Sequence, residues 1–305
     1  MNEYPGGVWP VMLTPFKTDG SIDEKGLRAL VDWYIEKGCK GLFASCQSSE
    51  IFHMTREERI RIARITVDQT AGRVPVVASG CVEYPMDEQV KDIEGMAAAN
   101  VDAVILLTNR LAREGEPDAV LLDSVHTILS RIDGGIRLGL YECPNPYKRV
   151  LSLPVIDACA KTGRFYFLKD TCCDAAFIKR KIEATRGTNL KLYNANATTA
   201  LQAMRDGAAG YSGIMANFHP ELYVWLTENY AKPEADRVQD ALTMASLIER
   251  QLYPVNAKFH LKMIEKLPVE TTCRVQDDRL LTDTFQTEIY MMNRVCDDLY
   301  ARYCK

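Results

Sequence analysis

No stretch of this sequence approaches twenty consecutive apolar residues, so no membrane-spanning helix is expected. Neither G-x-G-x-x-G nor G-x-x-x-x-G-K-[ST] occurs, which leaves nucleotide binding without a motif. There is no C-x-x-C spacing. The four histidines, His53, His126, His219 and His260, form no H-x-x-x-H pair, so no metal site is indicated. Neither sign of charge is in large excess: the net charge is -4, which argues against nucleic acid as a main partner. Residues 1–7 lack a signal-peptide pattern, which favours the cytoplasm. No low-complexity linker divides the chain.

What is present is apolar material in quantity, 47% of 305 residues, enough for a large core. The ten cysteines are scattered through apolar segments and read as reduced thiols, most of them small core residues. Short apolar runs alternate with amphipathic stretches. Strands are expected over 8–13, 41–45, 74–79, 103–108, 137–141, 165–169, 190–193 and 209–212. Helices are expected between them, over 23–37, 56–70, 87–100, 119–131, 153–161, 174–186 and 198–206. Ser21 with Glu24, and Thr55 with Glu58, have capping-box spacing. Gly38, Gly72, Gly163, Gly187 and Gly207 stand as helix stop signals. Eight strands with intervening helices predict an α/β fold, a (β/α)8 barrel, with a doubly wound open sheet as the alternative. Beyond Ser212 the strands cease. Residues 220–230, 234–253, 256–265 and 278–303 read as helices. The expected organisation is a barrel over 1–218 and a helical appendage over 219–305, packed on it rather than independent.

Lys169 ends the run Phe165-Tyr166-Phe167-Leu168-Lys169-Asp170. An apolar strand of this kind reads as fully buried. A free lysine, with a pKa of about 10.4, is neutral only about once in a few thousand at pH 7. Burial lowers the pKa and frees the amine to attack a ketone. The same lysine could instead snorkel to solvent. In a barrel, functional residues gather at the C-terminal strand ends. Several of those ends are polar here: Thr14-Pro15-Phe16, Ser45-Cys46-Gln47-Ser48-Ser49-Glu50, Tyr141-Glu142-Cys143-Pro144, Lys169-Asp170 and Gly210-Tyr211-Ser212-Gly213.

In these segments the chain resembles the pyruvate-dependent class I aldolases of the dihydrodipicolinate synthase and N-acetylneuraminate lyase superfamily. The marks are Leu13-Thr14-Pro15-Phe16, the Ser-Ser-Glu loop after strand two, Tyr141-x-x-Pro144, and a lysine 28 residues after that tyrosine. Gly207-Ala208-Ala209-Gly210 and Ala216-Asn217 also fit. The resemblance implies a closed barrel and makes Lys169 the Schiff-base lysine. Tyr141 becomes the proton-shuttling tyrosine. It implies that Ser48 and Ser49, with backbone N–H groups, hold the 2-oxo acid carboxylate, and that Glu50 anchors the loop. Gln47 replaces a threonine that relays protons. An amide hydrogen-bonds but does not carry a proton as a hydroxyl does. Cys46 and Ser49 stand where the family has loop glycines, so the loop's backbone path is open.

The second-substrate side departs from the lysine-pathway synthase of that family. Thr108-Asn109-Arg110-Leu111 replaces a tyrosine pair, Pro146 takes the place of an arginine, and Ser212 replaces an isoleucine over the pyruvate. The semialdehyde site is therefore not reproduced. Arg110 or Arg113 would take a distal carboxylate or be solvated. Asn194 and Asn196 would meet substrate hydroxyls or be turn residues. Cys143, Cys172 and Cys173 would line the pocket or, the preferred reading, be buried inert thiols. The resemblance implies carbon–carbon lyase or aldolase chemistry on a 2-oxo acid, pyruvate being product or donor, with an aldehyde as second substrate. A dehydratase on the same imine and a non-catalytic 2-oxo-acid binder are the alternatives. No cofactor beyond the covalent lysine imine is implied. A homo-oligomer, dimer or tetramer, is expected.

Overall fold

The computed structural model describes residues 4–304. Eight strands form one sheet: β1 (Gly7–Val8), β2 (Leu42–Ser45), β3 (Val76–Cys81), β4 (Ala103–Leu107), β5 (Leu138–Tyr141), β6 (Phe165–Asp170), β7 (Lys191–Asn194) and β8 (Gly210–Tyr211). Neighbours pair in parallel in the order β1-β8-β7-β6-β5-β4-β3-β2. The open edges meet beyond β1, where Val11 bridges Phe43 in parallel. Phe43 donates to Pro10 O at 3.1 Å and receives Met12 N–H at 3.0 Å. That contact closes the ring, and the fold is a (β/α)8 barrel rather than an open sheet.

Helices lie between the strands: α1 (Glu24–Glu36), α2 (Arg56–Thr70), α3 (Met86–Ala98), α4 (Thr108–Leu111), α5 (Asp118–Arg131), α6 (Leu153–Lys161), α7 (Ala175–Thr185) and α8 (Ala200–Asp206). The expected strands and helices of the barrel appear, with the short α4 added, except that the strand expected over 8–13 shrinks to Gly7–Val8 and the isolated bridge at Val11. Thr55 and Glu58 form the expected reciprocal capping box at α2. Ser21 does not cap α1. Asp23 does, accepting Gly26 N–H at 3.1 Å, while Ser21 bonds Asp19. Gly207 ends α8 at φ 102°, a left-handed position that favours glycine.

Two apolar layers result from the strand period of two. One fills the barrel: Trp9, Val11, Phe43, Val77, Ile105 and Phe167, with the Trp9 and Phe167 ring centroids 5.2 Å apart. The other lies between strands and helices and is the larger.

The tail forms α9 (Pro220–Asn229), α10 (Glu234–Ala245), α11 (Val255–Met263) and α12 (Asp283–Tyr303). It packs directly on the barrel: Tyr223 of α9 stacks on Tyr211 of β8, centroids 4.1 Å apart. The reading of one helix over 234–253 needs correction. The α-helix stops at Ala245, a 3-10 turn follows over Ser246–Arg250, and Leu252 sits at φ 52°. Pro254 keeps Tyr253 out of helical geometry, which fits the end of the 3-10 turn at Arg250. The break turns residues 249–254 toward the barrel mouth. Among the described residues no helix is long and apolar enough to cross a membrane.

Candidate active site

A cleft of about 300 Å³ opens where the C-terminal ends of the strands converge. Gln47 and Ser48 reach it from the loop after β2, Tyr141 from β5 and Lys169 from β6. Asn196 follows β7, Gly213 and Ile214 follow β8, and Glu249 and Tyr253 come from the tail. A hollow of about 610 Å³ at the other end of the barrel is larger. Its walls, Gly6, Gly187, Gly207 and their neighbours, hold no carboxylate for acid–base work. The smaller cleft is the one lined by Tyr141, Lys169 and Glu249.

Lys169 and Tyr141 are 28 positions apart in sequence but direct partners in the β5–β6 register. One strand–helix–strand unit separates them, so both side chains leave adjacent strands on the inner face. Lys169 Nζ lies 4.3 Å from the Tyr141 ring centroid and 5.9 Å from that of Phe43. Lys169 is 4% exposed, and burial holds its amine below the usual lysine range. Cys46, Cys143 and Glu249 oppose that shift without reversing it. Burial pushes the Tyr141 phenol well above its ordinary value.

The loop after β2 takes its shape without the family's glycines. Cys46 is extended, at φ -144°, and the left-handed residue is Glu50, at φ 68°. Glu50 is held there by its carboxylate, which accepts from Lys258 Nζ at 2.9 Å, Arg274 N at 2.6 Å and Val275 N at 2.9 Å. These charge-assisted bonds offset the cost of a left-handed residue with a Cβ, about 1–2 kcal/mol. Thr14 fastens the same loop, donating to Ser49 O at 2.9 Å.

Ser48 lines the cleft, whereas Ser49 lies beneath it. The Ser49 hydroxyl sits 2.6 Å from Met12 O and 3.1 Å from Ala44 O, and it accepts Cys46 N–H at 3.1 Å. It shapes the loop from below. Ser212 is buried at the end of β8 and does not line the cleft. Its hydroxyl has no hydrogen-bond partner among the described residues. Gln47 does line the cleft, and its Oε1 accepts from Cys143 Sγ at 3.4 Å. Cys143 is buried and Cys172 half-buried, whereas Cys173 is exposed and lines the cleft, so the preferred reading of buried thiols holds for Cys143 and the pocket-lining alternative for Cys173.

Asn194 is a turn residue, accepting Asn196 N–H at 2.6 Å and donating to Thr199 Oγ1 at 2.8 Å. Asn196 lines the cleft. Arg110 does not. Its guanidinium lies over Tyr84 and Phe52, 4.2 and 5.0 Å from their ring centroids.

Three features escaped the sequence. First, Lys181 of α7 is fully buried behind the strand ends. Its Nζ donates to Glu142 Oε1 at 2.5 Å and Asp170 Oδ2 at 2.6 Å. Those two acids directly follow Tyr141 and Lys169, so one ammonium ties together the strand ends that carry both. Burial alone would lower the Lys181 pKa, but the two acids hold it above its ordinary value. Burial pushes Glu142 up, against the pull of Lys181. Charged residues at the ends of apolar strands were the available signal. Second, Tyr253 closes one wall of the cleft. Its hydroxyl accepts from Asn217 Nδ2 at 3.0 Å, and Asn217 Nδ2 also donates to Val11 O at 3.0 Å. Third, Glu249 brings a carboxyl to the cleft. Neither tail residue is marked in the sequence, since both fall inside an apparent helix. Among the described residues no group of three or more His, Cys, Asp or Glu is placed to hold a metal ion.

The model of the dihydrodipicolinate synthetase family matches residues 4–276. The chain is 26% identical over 261 residues to the 4-hydroxy-tetrahydrodipicolinate synthase of Methanothrix thermoacetophila, covering 84% of this chain and 86% of that protein. A dihydrodipicolinate synthase structure from Bacillus anthracis superposes with a TM-score of 0.86 at 20% identity, covering 96% of this chain and 99% of the other. A catalytic-lysine mutant of the Ruminococcus gnavus sialic acid aldolase also superposes at 0.86, with 17% identity and coverage of 98% and 97%. With a family match across nine-tenths of its length and the barrel those structures share, the chain belongs to the dihydrodipicolinate synthetase family.

Proposed function

We propose that the protein is a Schiff-base-forming class I aldolase or lyase that acts on a 2-oxo acid, with pyruvate as product or donor. The observation that carries this reading is the buried amine of Lys169, register partner of Tyr141, inside a cleft at the C-terminal mouth of the barrel. Lys169 attacks C2 of the 2-oxo acid and water is lost. The resulting imine draws electrons from C3, so a C3–C4 bond breaks to an enamine and aldehyde, or forms in reverse. Tyr141 hydrogen-bonds the oxygen that develops at C2. Ser48, with the backbone N–H groups of the β2 loop, takes the substrate carboxylate. Ser49 shapes that loop from beneath, and Ser212 backs the β8 end of the site. The aldehyde occupies the outer part of the cleft, near Asn196 and Asn145. No cofactor other than the lysine imine is invoked, and assembly into dimers or tetramers follows from the family likeness.

The enamine has a direct signature. Incubated with the protein in D2O, pyruvate should exchange its C3 protons for deuterium, read by NMR, and Lys169→Ala should not catalyse the exchange. Absence of exchange with pyruvate and with larger 2-oxo acids would refute the enamine. Product analysis on a polyhydroxylated 2-oxo acid then separates pyruvate release from loss of water, the dehydratase outcome.

A further inference from the structure

The site described so far has a nucleophile but a weak set of proton carriers. Tyr141 is buried, and burial disfavours its ionised form. Gln47 hydrogen-bonds without carrying a proton. Imine formation nonetheless requires protons to reach the departing oxygen. Glu249 occupies the turn Ser246–Arg250 and lines the same cleft as Lys169. It is half-buried, and among the described residues its carboxyl has neither a hydrogen bond nor an ion pair. Other acids near the mouth are tied: Glu50 to Lys258, and Glu142 and Asp170 to Lys181. Glu249 is thus a carboxyl presented to the cleft and held by nothing else.

We propose that Glu249 is a further catalytic residue beside Lys169 and Tyr141, the group in the same cleft that delivers and takes up protons during imine formation. The proposal rests on the Schiff-base reading above.

In water a lysine and a glutamate exist as ammonium and carboxylate. Burial disfavours both charges, so the neutral pair of amine and carboxylic acid gains weight at no change in net charge. Burial raises the Glu249 carboxyl to about 7, opposed by Lys169 and Arg250. A proton carrier works best when its pKa lies near the working pH. Protonated Glu249 also spares the anionic 2-oxo acid a like charge. The titratable groups that feel the charge of Glu249 are Lys169 of β6, Tyr211 of β8, Tyr223 of α9, and Arg250 and Tyr253 of its own segment. Burial holds the three phenols well above their ordinary value, and Arg250 is exposed. That leaves Lys169 and Glu249 to trade the proton.

The step balances. Neutral Lys169 Nζ forms a bond to C2, and the carbonyl oxygen takes the Glu249 proton. The ammonium so formed returns a proton to the Glu249 carboxylate, leaving a neutral carbinolamine. Glu249 protonates the carbinolamine hydroxyl, the C–O bond breaks, and water leaves as the nitrogen lone pair forms C=N. The products are a protonated imine, water and the Glu249 carboxylate, which then faces the new cation.

The test is the rate of imine formation with pyruvate, sampled by rapid borohydride quench and intact mass, from pH 5 to pH 9. The wild type should show a limb near pH 7. Glu249→Gln should lose that limb and slow imine formation by about 10²-fold at pH 7, while Glu249→Asp should retain the limb at reduced rate. Thermal unfolding of each variant checks its fold, and Gln is isosteric with Glu. A Glu249→Gln protein with the wild-type rate and profile overturns the proposal and leaves the lysine chemistry standing. A wild type that forms no adduct with any 2-oxo acid removes both.

Discussion

Lys169 and Tyr141 face one another because each is the last inward residue of its strand, and adjacent parallel strands bring such residues level. That made them legible: an amine closing an apolar run, and a tyrosine one strand–helix–strand unit earlier. Ser49 was harder to read. Its hydroxyl type fitted carboxylate binding, but only the loop's path decides which serine looks outward, and that path depends on Glu50, Lys258 and Arg274 from distant parts of the chain. Glu249 was illegible, because nothing near it in sequence marks an acid destined for a cleft. Its environment has a consequence for stability. A carboxyl raised from 4.5 to about 7 binds its proton more readily in the folded chain. Folding stability therefore falls as pH rises from 4.5 to 7, and the penalty is constant above that window. Glu249→Gln should thus be more stable than wild type at pH 8, by on the order of 1–3 kcal/mol, with no gain below pH 4.5. Denaturant midpoints at the two pH values measure the difference, and a gain independent of pH would contradict the assigned burial.

Among the elements, the strands were readable from period and composition, since buried parallel strands are apolar on both faces. The helices were readable from their caps and glycine stops. The run over 234–253 misled because its amphipathic pattern continues through Ser246–Arg250, where the chain tightens from α to 3-10 geometry. The clamp between α7 and the ends of β5 and β6 is an element-scale device. One buried ammonium faces two buried acids, of which Glu142 also accepts Leu151 N–H at 2.8 Å and Thr171 N–H at 3.0 Å. Lys181→Met leaves the acids unpaired and should cost about 3–5 kcal/mol in urea unfolding. Adding Glu142→Gln and Asp170→Asn should recover most of that loss, because the unpaired charges are then gone. If Lys181→Met alone were neutral, the clamp would not hold the strand ends.

At the scale of the whole molecule, the cleft draws on five strand ends and on the tail. Tyr253 reaches it through Asn217, which also bonds the Val11 carbonyl at the barrel's closing seam. The seam, the β2 loop and the tail are therefore one connected assembly around Lys169. The ring was legible in outline from the strand pattern and its closure from the family resemblance, since period alone cannot distinguish a barrel from an open sheet and the Val11–Phe43 bridge lies outside the main strands. The central claim is that this assembly exists to make Lys169 a nucleophile. Intact-protein mass spectrometry after pyruvate and borohydride tests it most directly. The account predicts a mass gain of one reduced pyruvate per chain, absent in Lys169→Ala. No gain with pyruvate or any larger 2-oxo acid, or an equal gain in Lys169→Ala, would contradict it.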